Sequence, residues 1–195
     1  MKNHFYAVMS RMKNIYRWGL MRNTRKENLS EHSLEVAQIA HALAIIGNKR
    51  FAKNYDANFV ATAAMYHDSS EIITGDMPTP IKYYNNEIKT AYKQIEAAAE
   101  KQLIEMLPPD FKEDFFSIYN PDNQTKKLIK AADKISAFIK CIEELNMGNK
   151  EFAVAKKTIE QAICDLGMPE ADVFMKEFIP SFSLSLDEQG SNCDN

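Results

Sequence analysis

The sequence predicts an all-α fold, a single-domain helical bundle. Three observations carry that expectation. Apolar residues recur at helical spacing along nearly the whole chain. No segment alternates apolar and polar residues as a half-buried strand does. Glycine is scarce, at six, so the chain breaks only at a few N-cap and Gly/Pro signals between long periodic runs. A length of 195 residues suits one domain with a sizeable core, and 45% apolar with 26% charged residues is the balance of a globular protein. The domain is expected over residues 1–189. A polar tail follows over 190–195, with Cys193 as an exposed thiol.

The elements follow from local signals. A first helix is expected over about 4–15, broken by Arg17-Trp18-Gly19. Ser30 is a good N-cap for a second, with Glu31 in its first turn and Leu34, Ala37, Ala40, His41 and Ala44 on one face. Gly47-Asn48 is its stop signal. Asp56 caps a third helix, expected to run through Phe59, Val60, Ala63, Ala64 and His67 to about Ile72. The stretch Gly75-Asp76-Met77-Pro78-Thr79-Pro80 reads as non-helical, because each proline pushes the residue before it into extended backbone. A long helix then covers about 81–107 and stops at Pro108-Pro109. The next covers about 122–147, with Leu128, Ala132, Ile135, Ile139 and Ile142 on one face and Gly148 as its C-terminal signal. Two more cover about 149–166 and 169–178.

Composition excludes several classes. No apolar run approaches the roughly 20 residues that span a bilayer. The N-terminal residues lack an apolar signal core, and the three cysteines form no CxxC pair, so a reducing, cytoplasmic location is expected. A net charge of −3 speaks against a general nucleic-acid binder. The charge is uneven, however. Residues 1–26 carry seven basic side chains and no Asp or Glu, while the rest has 17 basic against 27 acidic residues. The basic stretch is either a solvated face or a cationic wall beside an anion site.

The candidate chemistry lies in a few polar residues on apolar helices. His67 and Asp68 follow the apolar run 59–66, where an unsatisfied imidazole and carboxylate are costly. His32 opens an earlier helix, and Asp133 sits on a helix whose other inward positions are apolar. Two His and two Asp make a nitrogen and oxygen site for one divalent ion, of which Co, Mn, Ni, Zn and Mg are all acceptable. Four protein ligands on an octahedral ion leave two positions, one for a phosphate oxygen and one for a water. His41 stands about 2.5 helical turns after His32 and points the opposite way, so it cannot share the ion. His4 has no assigned role.

The ordered set of His, then His-Asp, then a distant Asp resembles the HD-domain superfamily of metal-dependent phosphohydrolases. The resemblance is closer still to the bacterial 5′-deoxynucleotidases. It is carried by Ile15-Tyr16-Arg17-Trp18, Met21-Arg22-Asn23, residues 27–34, residues 65–71, Thr74-Gly75-Asp76-Met77-Pro78-Thr79-Pro80, Ala131-Ala132-Asp133 and residues 178–182. It implies an HD-type helical bundle that hydrolyses deoxyribonucleoside 5′-monophosphates to deoxynucleoside and phosphate. His32, His67, Asp68 and Asp133 would be the metal ligands. Glu71 would activate or position the attacking water, and Arg17 would orient the phosphate. Trp18 would pack at the sugar and disfavour a ribose 2′-hydroxyl. Asp76, Met77, Pro78 and Thr79 would line the nucleotide pocket, with His32, Asp68 and Asp133 also touching substrate. A homodimer is implied as well.

The residue types fit these roles on their own. Glu71 stands four residues after His67, which on a continuous helix puts both on one face. The planar fork of Arg17 suits a phosphate. The prolines would stiffen the loop that carries Asp76. Two alternatives stay open. One is an HD-type phosphodiesterase acting on cyclic nucleotides or RNA ends. The other is a helical scaffold with a structural metal, which would normally be closed by its own ligands.

Overall fold

The computed structural model describes residues 3–82 and 84–190. The tail expected at 190–195, Cys193 included, lies outside them apart from Gly190. Among the described residues there is no strand. The helices are α1 (Phe5–Met9), α2 (Leu29–Arg50), α3 (Ala57–Tyr66), α4 (Glu71–Thr74), α5 (Thr79–Lys82), α6 (Asn86–Glu105), α7 (Lys112–Tyr119), α8 (Asn123–Asn146), α9 (Ala153–Cys164), α10 (Pro169–Glu177) and α11 (Leu186–Gly190). Single 3-10 turns at Ser10–Asn14, Pro109–Phe111, Lys150–Phe152 and Ile179–Ser183 connect some of them.

The central helix is α2, which packs against α3, α8 and α10. The main core lies between them. Val36, Ala40, Leu43 and Ala44 of α2 meet Val60 and Ala64 of α3 and Leu128, Ile135 and Ile139 of α8. A second, aromatic cluster joins Phe5 of α1 to Leu103, Leu107 and Phe115, with the rings of Phe5 and Phe115 edge to face at 4.8 Å. No described helix is long and apolar enough to cross a membrane.

Several elements differ from the expectation for identifiable reasons. The cap of α2 is Asn28, not Ser30. The Asn28 side chain accepts from Ser30 N at 3.0 Å and Glu31 N at 3.1 Å, and Glu31 returns the bond, a complete capping box. Leu34 is 56% exposed. With His32 turned inward, a residue two positions on is rotated by about 200° and faces solvent. Gly47 does not stop α2, which runs on to Arg50. Its missing side chain makes room for Tyr55, because a Cβ there would lie 2.5 Å from Tyr55 Cε2.

Asp56 does cap α3, accepting from Phe59 N at 2.9 Å. The helix stops at Tyr66, six residues short of Ile72, and tight turns lead to α4. The expected helix over 81–107 is split into α5 and α6, with Asn85 capping α6 through Ile88 N. The short α7 and α11 had no expected counterpart. Gly148 ends α8 at φ +81, as expected of a C-terminal glycine.

Candidate metal centre

Three places on the fold converge to form the site. His32 lies in the first turn of α2, on its inward face, and is 1% exposed. His67 and Asp68 sit where α3 unwinds. Asp133 projects from the middle of α8. The unwinding after Tyr66 is held by i→i+3 bonds, Ser69 N to Tyr66 O at 3.1 Å and Glu71 N to Asp68 O at 3.0 Å. The Ser69 hydroxyl donates to Tyr66 O at 2.8 Å, which holds the turn open.

One ligand atom from each of His32, His67, Asp68 and Asp133 lies within 4.8 Å of all the others. His32 Nε2 is 3.2 Å from Asp133 Oδ1 and 3.5 Å from Asp68 Oδ2. His67 Nε2 is 3.2 Å from Asp68 Oδ2. Both Nε2 atoms are buried and lack a hydrogen-bond partner. Their other ring nitrogens are engaged. His67 Nδ1 lies 2.8 Å from Ala64 O, where it can only donate. His32 Nδ1 lies 3.1 Å from Ser136 Oγ and 3.2 Å from Glu27 Oε1, while the Ser136 hydroxyl donates to Glu35 Oε2 at 2.5 Å. Donation at Nδ1 leaves the lone pair on Nε2, the tautomer a metal ligand needs. Two such lone pairs facing two carboxylates fit one divalent cation with nitrogen and oxygen preference.

The electrostatics point the same way. Burial and the nearby Arg17 oppose a charge on His32, yet the carboxylates of Asp133, Asp68 and Glu27 around its ring raise its pKa to about 10. Burial works against ionised Asp68, but its contacts with His67 and His32 hold it well below the usual carboxylate range. The cluster therefore favours a positive charge at its centre, whether a proton or a metal ion. Arg17 closes one side, with Nη1 3.1 Å from Asp68 Oδ2 and Nη2 3.7 Å from Asp133 Oδ1. Glu71 is 4% exposed with Oε2 unpartnered. Burial, then the like charges of Asp68 and Asp76, push its carboxyl up to about 9. A cavity of about 270 Å³ opens beside His67 and Asp133, walled by Tyr66, Tyr119, Lys126 and Lys130 among others.

Over residues 4–182 the chain matches the family described as 5′-deoxynucleotidase YfbR-like. The chain belongs to the YfbR-like 5′-deoxynucleotidase family. It is 54% identical to a 5′-deoxynucleotidase of Vibrio vulnificus over 96% of this chain and 98% of that one. It is 53% identical to a 5′-deoxynucleotidase of Photorhabdus laumondii over 95% and 96% of the two chains. Among solved structures, an HD-domain phosphohydrolase of Listeria innocua superposes with a TM-score of 0.81 at 22% identity, covering 97% of this chain and 93% of that one. The HD phosphohydrolase of cyanophage S-2L, solved with dA and one catalytic Zn2+ ion, superposes with a TM-score of 0.63 at 19% identity, over 90% and 96% of the chains. These likenesses establish the HD fold, and the family makes the chain a hydrolase of phosphomonoesters.

The fold brings the sequence-derived residues together unevenly. His32, His67, Asp68, Asp133 and Arg17 form one connected cluster. Asp76 is half-buried, its carboxyl raised by burial against the attraction of Arg17. Met77 and Pro78 are half-buried in the same loop, and Thr79, exposed, opens α5. Glu71 does not share a continuous helix with His67, because the chain unwinds between them and Glu71 starts α4. Trp18 stands at φ +59 with its ring 5.3 Å from Phe152.

Of the basic residues Arg17, Arg22, Arg25 and Lys26, one reaches the site. Arg17 enters the cluster, but Arg22 Nε turns to Glu151 Oε2 at 2.7 Å, Arg25 lies 3.8 Å from Glu31, and Lys26 sits over the Tyr16 ring. Three supporting residues were missed, Glu27, Glu35 and Ser136. Two signals were available. Glu27 is the first acidic residue after 26 without one, and Ser136 follows Asp133 by three positions on the same helix face.

Proposed function

We propose that this chain hydrolyses deoxyribonucleoside 5′-monophosphates to deoxynucleoside and phosphate, with one divalent ion held by His32, His67, Asp68 and Asp133. The observation that carries this reading is the pair of buried, unpartnered Nε2 atoms facing two carboxylates, with a guanidinium against the same carboxylates. A divalent ion held by His32, His67, Asp68 and Asp133 would polarise the phosphoryl group and lower the pKa of a water. The protein groups do the rest. Arg17 presents its planar fork to the equatorial phosphate oxygens, where charge grows in the transition state. Glu71, buried with Oε2 unpartnered, positions the attacking water. Trp18 packs at the sugar and disfavours a 2′-hydroxyl, while Asp76 through Thr79 line the nucleotide pocket. Names of relatives such as that from Vibrio vulnificus support the deoxynucleotide as substrate.

Two further expectations belong to this reading. The chain acts as a homodimer, for which the exposed Tyr6 and Phe116 offer apolar surface. It works in the cytoplasm, where the unpaired thiols of Cys141 and Cys164 are stable.

The deciding experiment is phosphate release from chelator-treated protein, comparing deoxyadenosine and adenosine 5′-monophosphates with single divalent metals restored. Metal-dependent release from the deoxynucleotide supports the reading. Equal release from both removes the sugar selectivity. Cleavage of a phosphodiester with monoesters spared overturns the monoesterase.

A further inference from the structure

Glu27 stands at the centre of a set of contacts for which the reaction as described has no use. The chain before α2 folds back on itself. Arg17 N donates to Glu27 O at 3.0 Å and Leu29 N to Ile15 O at 3.0 Å, an isolated antiparallel bridge centred on Tyr16 and Asn28. This pairing sets Arg17 and Glu27 side by side. The Glu27 side chain is 13% exposed, accepts one hydrogen bond and lies close to two further N–H-bearing nitrogens. Its Oε2 accepts from Trp18 Nε1 at 2.9 Å. Its Oε1 lies 3.3 Å from Arg17 Nε and 3.2 Å from His32 Nδ1.

We propose that Glu27 is a positioning residue that aligns the metal ligand His32, the phosphate-binding Arg17 and the sugar-facing Trp18 through one carboxylate. The proposal rests on the roles given to those three residues above. Its chemistry follows from counting donors. Each of the three partners presents an N–H, and a carboxylate is the side chain that offers acceptors alone. The carboxylate 3.2 Å from Nδ1, together with the Ser136 hydroxyl bonded there, favours the proton on that nitrogen and keeps Nε2 of His32 as the ligand atom. The negative charge beside Nε of Arg17 turns the two terminal nitrogens toward Asp68 and Asp133. The bond to the indole fixes a ring whose backbone sits at φ +59, a conformation rare for a bulky residue. The three groups thus share one anchor, and disturbing it should affect metal binding and sugar choice together.

Glu27→Gln tests this. A glutamine has one acceptor oxygen, so its NH2 must face either Trp18 or the Arg17 and His32 pair. Co2+ titrated into chelator-stripped protein, followed by visible absorption, is expected to bind about 10- to 100-fold more weakly, the usual effect of removing an outer partner of a ligand histidine. The emission of Trp18, the only tryptophan, should shift, and the preference for deoxyadenosine over adenosine 5′-monophosphate should narrow. Glu27→Asp keeps two acceptor oxygens but draws them back, and its Co2+ affinity should fall between those of wild type and Glu27→Gln. If Glu27→Gln does not fold, Glu27→Asp against wild type decides by the same readouts. Wild-type Co2+ affinity together with unchanged sugar preference in the folded variants overturns the proposal. The Co2+ titration does not depend on turnover. Co2+ binding that weakens in Glu27→Gln, in a protein that cleaves no nucleotide, would sink the reaction and leave the role of Glu27 standing.

Discussion

Asp68 Oδ2 lies 3.1 Å from Nη1 of Arg17 and 3.2 Å from Nε2 of His67, so one carboxylate oxygen serves both the candidate phosphate clamp and the candidate metal site. A carboxylate oxygen that serves two partners cannot be neutralised without weakening both contacts. Asp68→Asn is therefore expected to lose the bound metal and to reduce phosphate release by more than about 10²-fold. Elemental analysis beside a phosphate assay checks it. An Asp68→Asn protein with full metal content and full turnover would remove Asp68 from the site.

Arg17 contacts Asp68, Asp133 and Glu27 with three different nitrogens. A lysine keeps the charge but presents a single point donor. Arg17→Lys should lower kcat/KM by roughly 10²-fold, in the range seen when one transition-state donor is removed. The metal content should stay near wild type, since Arg17 is no ligand. Steady-state kinetics with metal analysis gives both numbers.

Trp18→Ala should narrow the gap in kcat/KM between deoxyadenosine and adenosine 5′-monophosphates. The ring is the bulk that the reading places against the sugar. A preference equal to that of wild type would take Trp18 out of the selectivity role.

Away from the site, Glu144 is 1% exposed and accepts from Thr24 N at 2.9 Å, Asn149 Nδ2 at 2.8 Å and Lys140 Nζ at 2.5 Å. Burial raises its pKa, but these partners outweigh burial and hold the carboxyl far below the usual range. A depressed folded pKa stabilises the protein above the unfolded value of about 4.3 and is lost as pH falls below it. The melting temperature should therefore drop below about pH 5. Glu144→Gln should cost about 3–5 kcal/mol at pH 7, because Lys140 is left buried without its counter-ion, and should flatten the acid limb. Thermal melts from pH 3 to 7 would show both effects.

Gly47→Ala separates local propensity from packing. In an isolated helix the change stabilises by about 1 kcal/mol. Here the new methyl meets the Tyr55 ring at 2.5 Å and Glu170 Oε1 at 3.1 Å. The ring cannot simply swing away, because Tyr55 is tied to Asn48 through its backbone and to Glu170 through its hydroxyl. Overpacking of this kind costs about 1–3 kcal/mol, so the variant should melt below wild type. Denaturant titration measures the sign.

The all-α class, Asp56 at a helix start, Gly148 at a helix end and the inward face of α8 were all legible in the chain, because caps and a 3.6-residue period are local properties. So was the set of His32, His67, Asp68 and Asp133, because such residues are conspicuous on apolar helices. Three matters depended on contacts between distant segments. Gly47 reads as a stop signal until Tyr55 is placed against it. The third helix reads as continuous to Ile72 until the turn after Tyr66 delivers His67 and Asp68 to α2 and α8. Glu27 reads as one acidic residue among many until the bridge between residues 16 and 28 sets it beside Arg17, Trp18 and His32. The sequence by itself determined which atoms could bind a cation. Only the tertiary structure decided that one atom from each of His32, His67, Asp68 and Asp133 lies within 4.8 Å of the others, because those distances are set by how α2, α3 and α8 pack rather than by spacing along the chain.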